Sequence, residues 1–103
     1  MLRANLIAPT RVVLEEVPEP TPGPGEVRLR IETCGVCGSD MHFYETDKDD
    51  YILYPGLTRF PTILGHEFSA RVVETGKEVT SLAVGDMVTV EEMIWCGRCI
   101  PMR

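Results

Sequence analysis

The 103-residue sequence is short of three things: long apolar runs, clustered positive charge and a glycine-rich phosphate cradle. No apolar stretch approaches the ~18 residues that a membrane-spanning helix requires. Lys and Arg number 10 against 16 Asp and Glu, a net charge of −6. The basic residues are scattered, whereas nucleic-acid phosphates call for clustered ones. Nucleic acid and anionic membrane surfaces are therefore poor partners. No Gly-x-Gly-x-x-Gly occurs, so no dinucleotide-binding site is expected within this chain. An export signal is not evident either: Arg3 and Asn5 interrupt the apolar start. The cytoplasm is the expected compartment, and there cysteines stay reduced. The four present, Cys34, Cys37, Cys96 and Cys99, form two Cys-x-x-Cys units, a spacing that suggests metal binding. The length predicts one domain.

The apolar pattern that is present has period two. Val27, Leu29 and Ile31 alternate with Glu26, Arg28, Arg30 and Glu32, which predicts a strand with one buried face. Leu2, Ala4 and Leu6 alternate with Arg3 and Asn5, and Phe68, Ala70 and Val72 with Glu67, Ser69 and Arg71. Residues 11–17 and 88–90 also read as extended. A Pro- and Gly-rich connection fills 18–25, and Gly76-Lys77 and Gly85-Asp86 mark turns. One short helix is expected near Ser39 to Glu45, capped by Ser39 or Asp40. The stretch 46–62 reads as a long functional loop. Several short strands separated by turns predict a mainly β barrel or sandwich with no internal repeat.

Cys37 and His66 stand out chemically. Cys37 follows the best strand within Cys34-Gly35-Val36-Cys37-Gly38-Ser39-Asp40, and His66 lies in Gly65-His66-Glu67 just before another strand. Thiolate and imidazole are both good zinc ligands, and a catalytic zinc takes three protein ligands with one position open. Asp40 could accept the remaining ring N–H of His66 and so fix its tautomer. Taken singly, a Gly-His-Glu turn or a small buried cysteine would be unremarkable.

Four motifs in order, CGVCGSDMH (34–42), GHE (65–67), LAVGDMVTV (82–90) and CGRC (96–99), resemble the N-terminal catalytic domain of the zinc-containing medium-chain alcohol dehydrogenases. The Pro-rich run 16–27 fits as well. The resemblance covers nearly the whole of residues 1–103. It implies a GroES-like, partly open β-barrel with one short helix. It implies that Cys37 and His66 hold a catalytic zinc and that Glu67 lies beside the metal. Ser39 is then the hydroxyl that meets the substrate oxygen, His42 passes the proton towards solvent, and Asp40 supports His66. Cys34 has no role in the pattern and reads as a structural thiol. The segment Asp47 to Leu64, with Tyr51, Tyr54, Pro55 and Phe60, together with Asp40-Met41-His42-Phe43-Tyr44, looks most like the polyol, cyclitol and threonine dehydrogenase branches. The resemblance implies a small-molecule alcohol or polyol substrate, a secondary alcohol with several hydroxyls, with NAD or NADP accepting the hydride.

Departures from the family pattern set further expectations. Cys96 and Cys99 match half of a structural zinc lobe, but Met102 stands at the third ligand position and the sequence stops at Arg103. Thioether is a poor zinc ligand, and two thiolates do not close a tetrahedral site. The family's third catalytic ligand and its dinucleotide-binding domain also lie outside these residues. The chain is thus expected to be an incomplete catalytic domain, inactive alone, with an exposed apolar face that favours self-association. The main alternative is a zinc-binding module without activity that uses Cys34, Cys37, Cys96 and Cys99. Its central gap far exceeds the usual ~15–20 residues. A thioredoxin-like redox motif at Cys34 and Cys37 would need a βαβ setting that the β-rich pattern does not offer. A metal-free, chaperonin-cofactor-like barrel is the third alternative.

Overall fold

A computed structural model describes residues 1–47 and 59–93. The elements in chain order are β1 (Leu2–Ala8), β2 (Arg11–Glu16), β3 (Val27–Cys34), α1 (Gly38–Tyr44), β4 (Phe68–Thr75) and β5 (Met87–Thr89). Among the described residues all strand pairings are antiparallel. β1 and β2 form a hairpin, and β3, β4 and β5 form a second sheet with β4 in the middle. A further bridge between Leu6 and Thr62 ties the loop ahead of the Gly-His-Glu turn to β1, with N–H···O distances of 2.8 and 2.9 Å. The mainly β architecture with one short helix agrees with the expectation from period-two patterning.

The core is small and sits where strands are covered on both sides. Leu6, Ala70 and Val72 are its buried apolar side chains among the described residues. Ala70 and Val72 are the inward face of β4, as the alternation predicts. Two other alternations are only partly realised. Ile31 remains 52% exposed although Leu29 is half-buried. Ile31 pairs directly with the buried Ala70 and so keeps to the same face as Leu29, and it stays exposed because nothing among the described residues covers its end of that face. In β1, Leu2 and Ala4 are exposed and only Leu6 is buried, while Asn5 on the opposite face is buried and donates to Glu15 at 3.2 Å. The Leu6–Thr62 bridge covers the middle of β1, and nothing among the described residues covers Leu2.

The helix also departs from expectation. Cys37 is its N-cap, and neither Ser39 nor Asp40 takes that place. Asp40 stands at the third helical position and its carboxylate accepts the Cys37 N–H at 3.0 Å, the reciprocal half of a capping box. The helix therefore starts at the cysteine motif itself. Its last residue, Tyr44, accepts the Thr10 N–H at 2.8 Å, which anchors the helix to the β1–β2 turn.

One glycine is dictated by close approach. A Cβ on Gly76 would fall inside contact distance of the carbonyl oxygens of Gly23 and Pro24. The turn after β4 thus presses on the Pro-rich connection, held there by the Glu78 N–H donating to Pro24 O at 2.8 Å.

Candidate metal centre

The backbone builds the site by extending one ladder past the end of the strands. β3 and β4 finish their pairing at Cys34 and Phe68, and the Gly35 N–H then donates to Glu67 O at 2.7 Å. The cysteine loop and the Gly-His-Glu turn are thereby stitched together. Asp40 adds a second stitch. One carboxylate oxygen accepts the Cys37 N–H at 3.0 Å, and the other accepts the Gly65 N–H at 3.1 Å. Asp40 is only 8% exposed, so both bonds are screened from water. Gly65 has φ +93°, a conformation that favours glycine, and a Cβ there would sit 3.2 Å from Cys34 Sγ.

The result is a cluster. The ligand atoms of Cys37, His66 and Glu67 all lie within 4.8 Å of one another. Cys37 and His66 are half-buried and Glu67 is exposed. His66 Nδ1 faces Asp40 Oδ1 at 3.5 Å. The Ser39 hydroxyl, then the Ser39 backbone N–H and the His66 ring, hydrogen-bond the Cys37 sulfur and hold its thiol below the usual thiol range. Partial burial and the Glu67 charge oppose that shift. His66 is pushed above the usual imidazole range, first by its hydrogen bond to Cys37, against partial burial and with help from the Glu92 and Asp40 charges. A soft thiolate, an imidazole and a carboxylate around one small space form a donor set that suits zinc.

The other expected residues fall as follows. Ser39 is half-buried beside Cys37, and His42, one turn later on α1, is exposed. Positions three apart on a helix share a face, so the two are neighbours on one side of α1. Cys34 is a free, exposed thiol that donates to its neighbour Gly35 O at 3.3 Å and does not join the cluster. Cys96, Cys99 and Met102 lie outside the described residues, as do Tyr51, Tyr54 and Pro55 of the loop. One residue was missed by sequence reasoning. Glu92 places Oε2 3.5 Å from His66 Nε2. Its only signal was the Glu91-Glu92 pair after the last strand, which reads as ordinary solvated charge.

Comparison with known proteins gives the cluster a family. The alcohol dehydrogenase GroES-like domain model matches residues 23–103. A scyllo-inosose 3-dehydrogenase of Thermotoga maritima is 50% identical over 97 residues, covering 87% of this chain and 25% of the relative. An L-threonine 3-dehydrogenase of Xanthomonas campestris is 46% identical over 87 residues, covering 84% of this chain and 24% of the relative. The crystal structure of galactitol-1-phosphate dehydrogenase from Escherichia coli superposes with a TM-score of 0.79 at 30% identity, over 97% of this chain and 27% of that one. The chain spans about a quarter of the length of these relatives. It belongs to the GroES-like N-terminal domain family of the zinc-containing medium-chain alcohol dehydrogenases.

Proposed function

We propose that this chain supplies the metal-binding half of a zinc- and NAD(P)-dependent dehydrogenase acting on a secondary alcohol with several hydroxyls. The observation that carries the reading is the convergence of Cys37, His66 and Glu67 within 4.8 Å, with the Ser39 hydroxyl on the same sulfur. The relatives named for scyllo-inosose and galactitol-1-phosphate support the polyhydroxylated substrate class.

Cys37 and His66 would hold the zinc, with Glu67 beside it. Bound zinc supplies Lewis acidity, which lowers the pKa of an alcohol hydroxyl towards neutrality. The protein's own groups do the rest. The Asp40 carboxylate holds the cysteine loop against the histidine turn and orients the His66 ring through Nδ1. The Ser39 hydroxyl accepts the proton from the substrate hydroxyl and passes its own to His42. His42 is exposed and releases the proton to solvent. The hydride acceptor is a nicotinamide cofactor, whose binding fingerprint does not occur in these 103 residues. The chain alone should therefore show no steady NAD(P)H formation from any alcohol. A cytoplasmic setting suits the site, since it keeps Cys37 reduced.

The test is zinc affinity in three variants. Cys37→Ser and His66→Ala should each weaken zinc binding by more than about tenfold, and Cys34→Ser should leave it unchanged. Loss of zinc in Cys34→Ser with retention in His66→Ala would instead favour the four-cysteine module.

A further inference from the structure

The β1–β2 hairpin has an unpaired edge. The Leu6 N–H donates to Thr62 O, and Leu6 O accepts the Thr62 N–H, on the side of β1 away from β2. At the open end of the hairpin, Met1 and Val17 exchange both of their bonds. Antiparallel pairs alternate between bonded and non-bonded. Arg3–Glu15 and Asn5–Val13 are therefore bonded pairs, and Leu2–Glu16, Ala4–Leu14 and Leu6–Val12 are not. Val12, Leu14 and Glu16 thus point their backbone N–H and C=O groups outward from β2. None of these groups meets a backbone partner among the described residues. Proteins blunt such an edge with proline, lysine or a bulge. Residues 11–16 contain no proline or lysine, and the register shift of the hairpin falls between Leu6 and Ala8, on β1.

The side chains along this edge fit a particular partner. Leu14 is 71% exposed and Val12 47%, and they share a face with the exposed Leu2. On the opposite face Arg11 is exposed, with no hydrogen bond or ion pair among the described residues. Glu15, on that same face, holds Arg3 and Asn5 on its carboxylate. The run Arg11-Val12-Val13-Leu14-Glu15 is its own complement when reversed. An antiparallel copy centred on Val13 sets Arg11 opposite Glu15 and Val12 opposite Leu14, on both sides of a two-fold axis. In that register the outward groups of Val12 and Leu14 meet as bonded pairs. Sliding the copy by two residues either way sets Arg11 opposite Val13 or Val17 and loses both charge pairs. Sliding it by one matches outward groups with inward ones.

We propose that β2 is the docking edge for a second copy of this chain, which pairs with it antiparallel about Val13 to make a four-stranded sheet. A lone two-stranded hairpin is marginal in water, and extra strands with a shared apolar face stabilise it. Leu2, Ala4, Val12 and Leu14 of both copies lie on that shared face. No residue of the metal cluster takes part, so the pairing is independent of the metal-centre reading.

Sedimentation equilibrium of the 103-residue chain at rising concentration reads the mass, and amide hydrogen exchange reads the edge. The wild-type chain should pass from 11.5 kDa to twice that mass, with the Val12 and Leu14 N–H groups protected only in the dimer. Arg11→Glu sets carboxylate against carboxylate on both sides of the axis and should weaken the dimer at least about tenfold. Arg11→Lys keeps the charge and should dimerise like the wild type. Lys77→Glu makes the same change in net charge at an exposed residue after β4 and should also match wild type. Circular dichroism checks the fold of each variant. A chain that stays monomeric at millimolar concentration overturns the proposal. A dimer that survives Arg11→Glu overturns the register. A dimer in which Val12 and Leu14 exchange freely overturns the docking edge, and places the contact elsewhere, as in the groove lined by Met1, Leu29, Ile31 and Val73.

Discussion

Replacing Asp40 by Asn tests how the site is held together. The carboxylate accepts two backbone N–H bonds, from Cys37 at 3.0 Å and Gly65 at 3.1 Å, and is 8% exposed. Asn keeps the shape but has one acceptor oxygen, and its NH₂ group cannot accept. One buried N–H is left facing a donor. A hydrogen bond to a charged group contributes ~1.5–3 kcal/mol, and an unmet buried donor costs a similar amount. The expected loss of stability is about 2 kcal/mol. For a domain of this size that lowers the melting temperature by roughly 8–16 °C. Urea denaturation followed by circular dichroism measures the loss directly, as a lower midpoint at unchanged slope. Zinc affinity should fall as well, by about 10–100-fold, because Asp40 both sets the loop spacing and faces His66 Nδ1. An Asp40→Asn variant with wild-type stability would refute the claim that this carboxylate joins the two halves of the site.

Further predictions concern single groups. The Cys37 thiol lies below the usual range, so its thiolate persists at lower pH and its alkylation rate should rise at a more acidic pH than for a free thiol. Removing the main cause in Ser39→Ala should move that profile back towards alkaline pH. Gly76→Ala should destabilise the fold by about 1–3 kcal/mol without touching the cluster, since its Cβ meets backbone carbonyls that cannot rotate away. Thermal denaturation with zinc titration separates these two readouts. His42→Ala should leave zinc affinity unchanged, because His42 is exposed and outside the cluster.

Much of the site was legible because it depends on local chemistry. Cys37 with flanking glycines and His66 in a Gly-His-Glu turn both sit at strand ends, where side chains can converge. The motif order then links residues 29 apart without any contact information. What stayed hidden depends on long-range register. The N-cap at Cys37 follows from Asp40 reaching back from the third helical position, and Asp40 takes that role because it also binds Gly65. Ile31 lies opposite the buried Ala70 yet stays exposed, because period-two reading finds the inward face of a strand without showing how far a second layer covers it. Glu92 is brought to His66 by the pairing of Ser69 with Thr89, a register that no residue near position 92 announces.

The same residues explain why the cluster is asymmetric. Cys37 and His66 sit on segments tied to each other by three hydrogen bonds, from Gly35 to Glu67, Cys37 to Asp40 and Gly65 to Asp40. Glu67 is the exposed member.

The most direct measurement is zinc K-edge X-ray absorption on the chain loaded with one equivalent of zinc. The account predicts one sulfur scatterer at about 2.3 Å and the remaining ligands as nitrogen or oxygen at about 2.0–2.2 Å. A shell of two or more sulfurs would contradict it and return the metal to a multi-cysteine site.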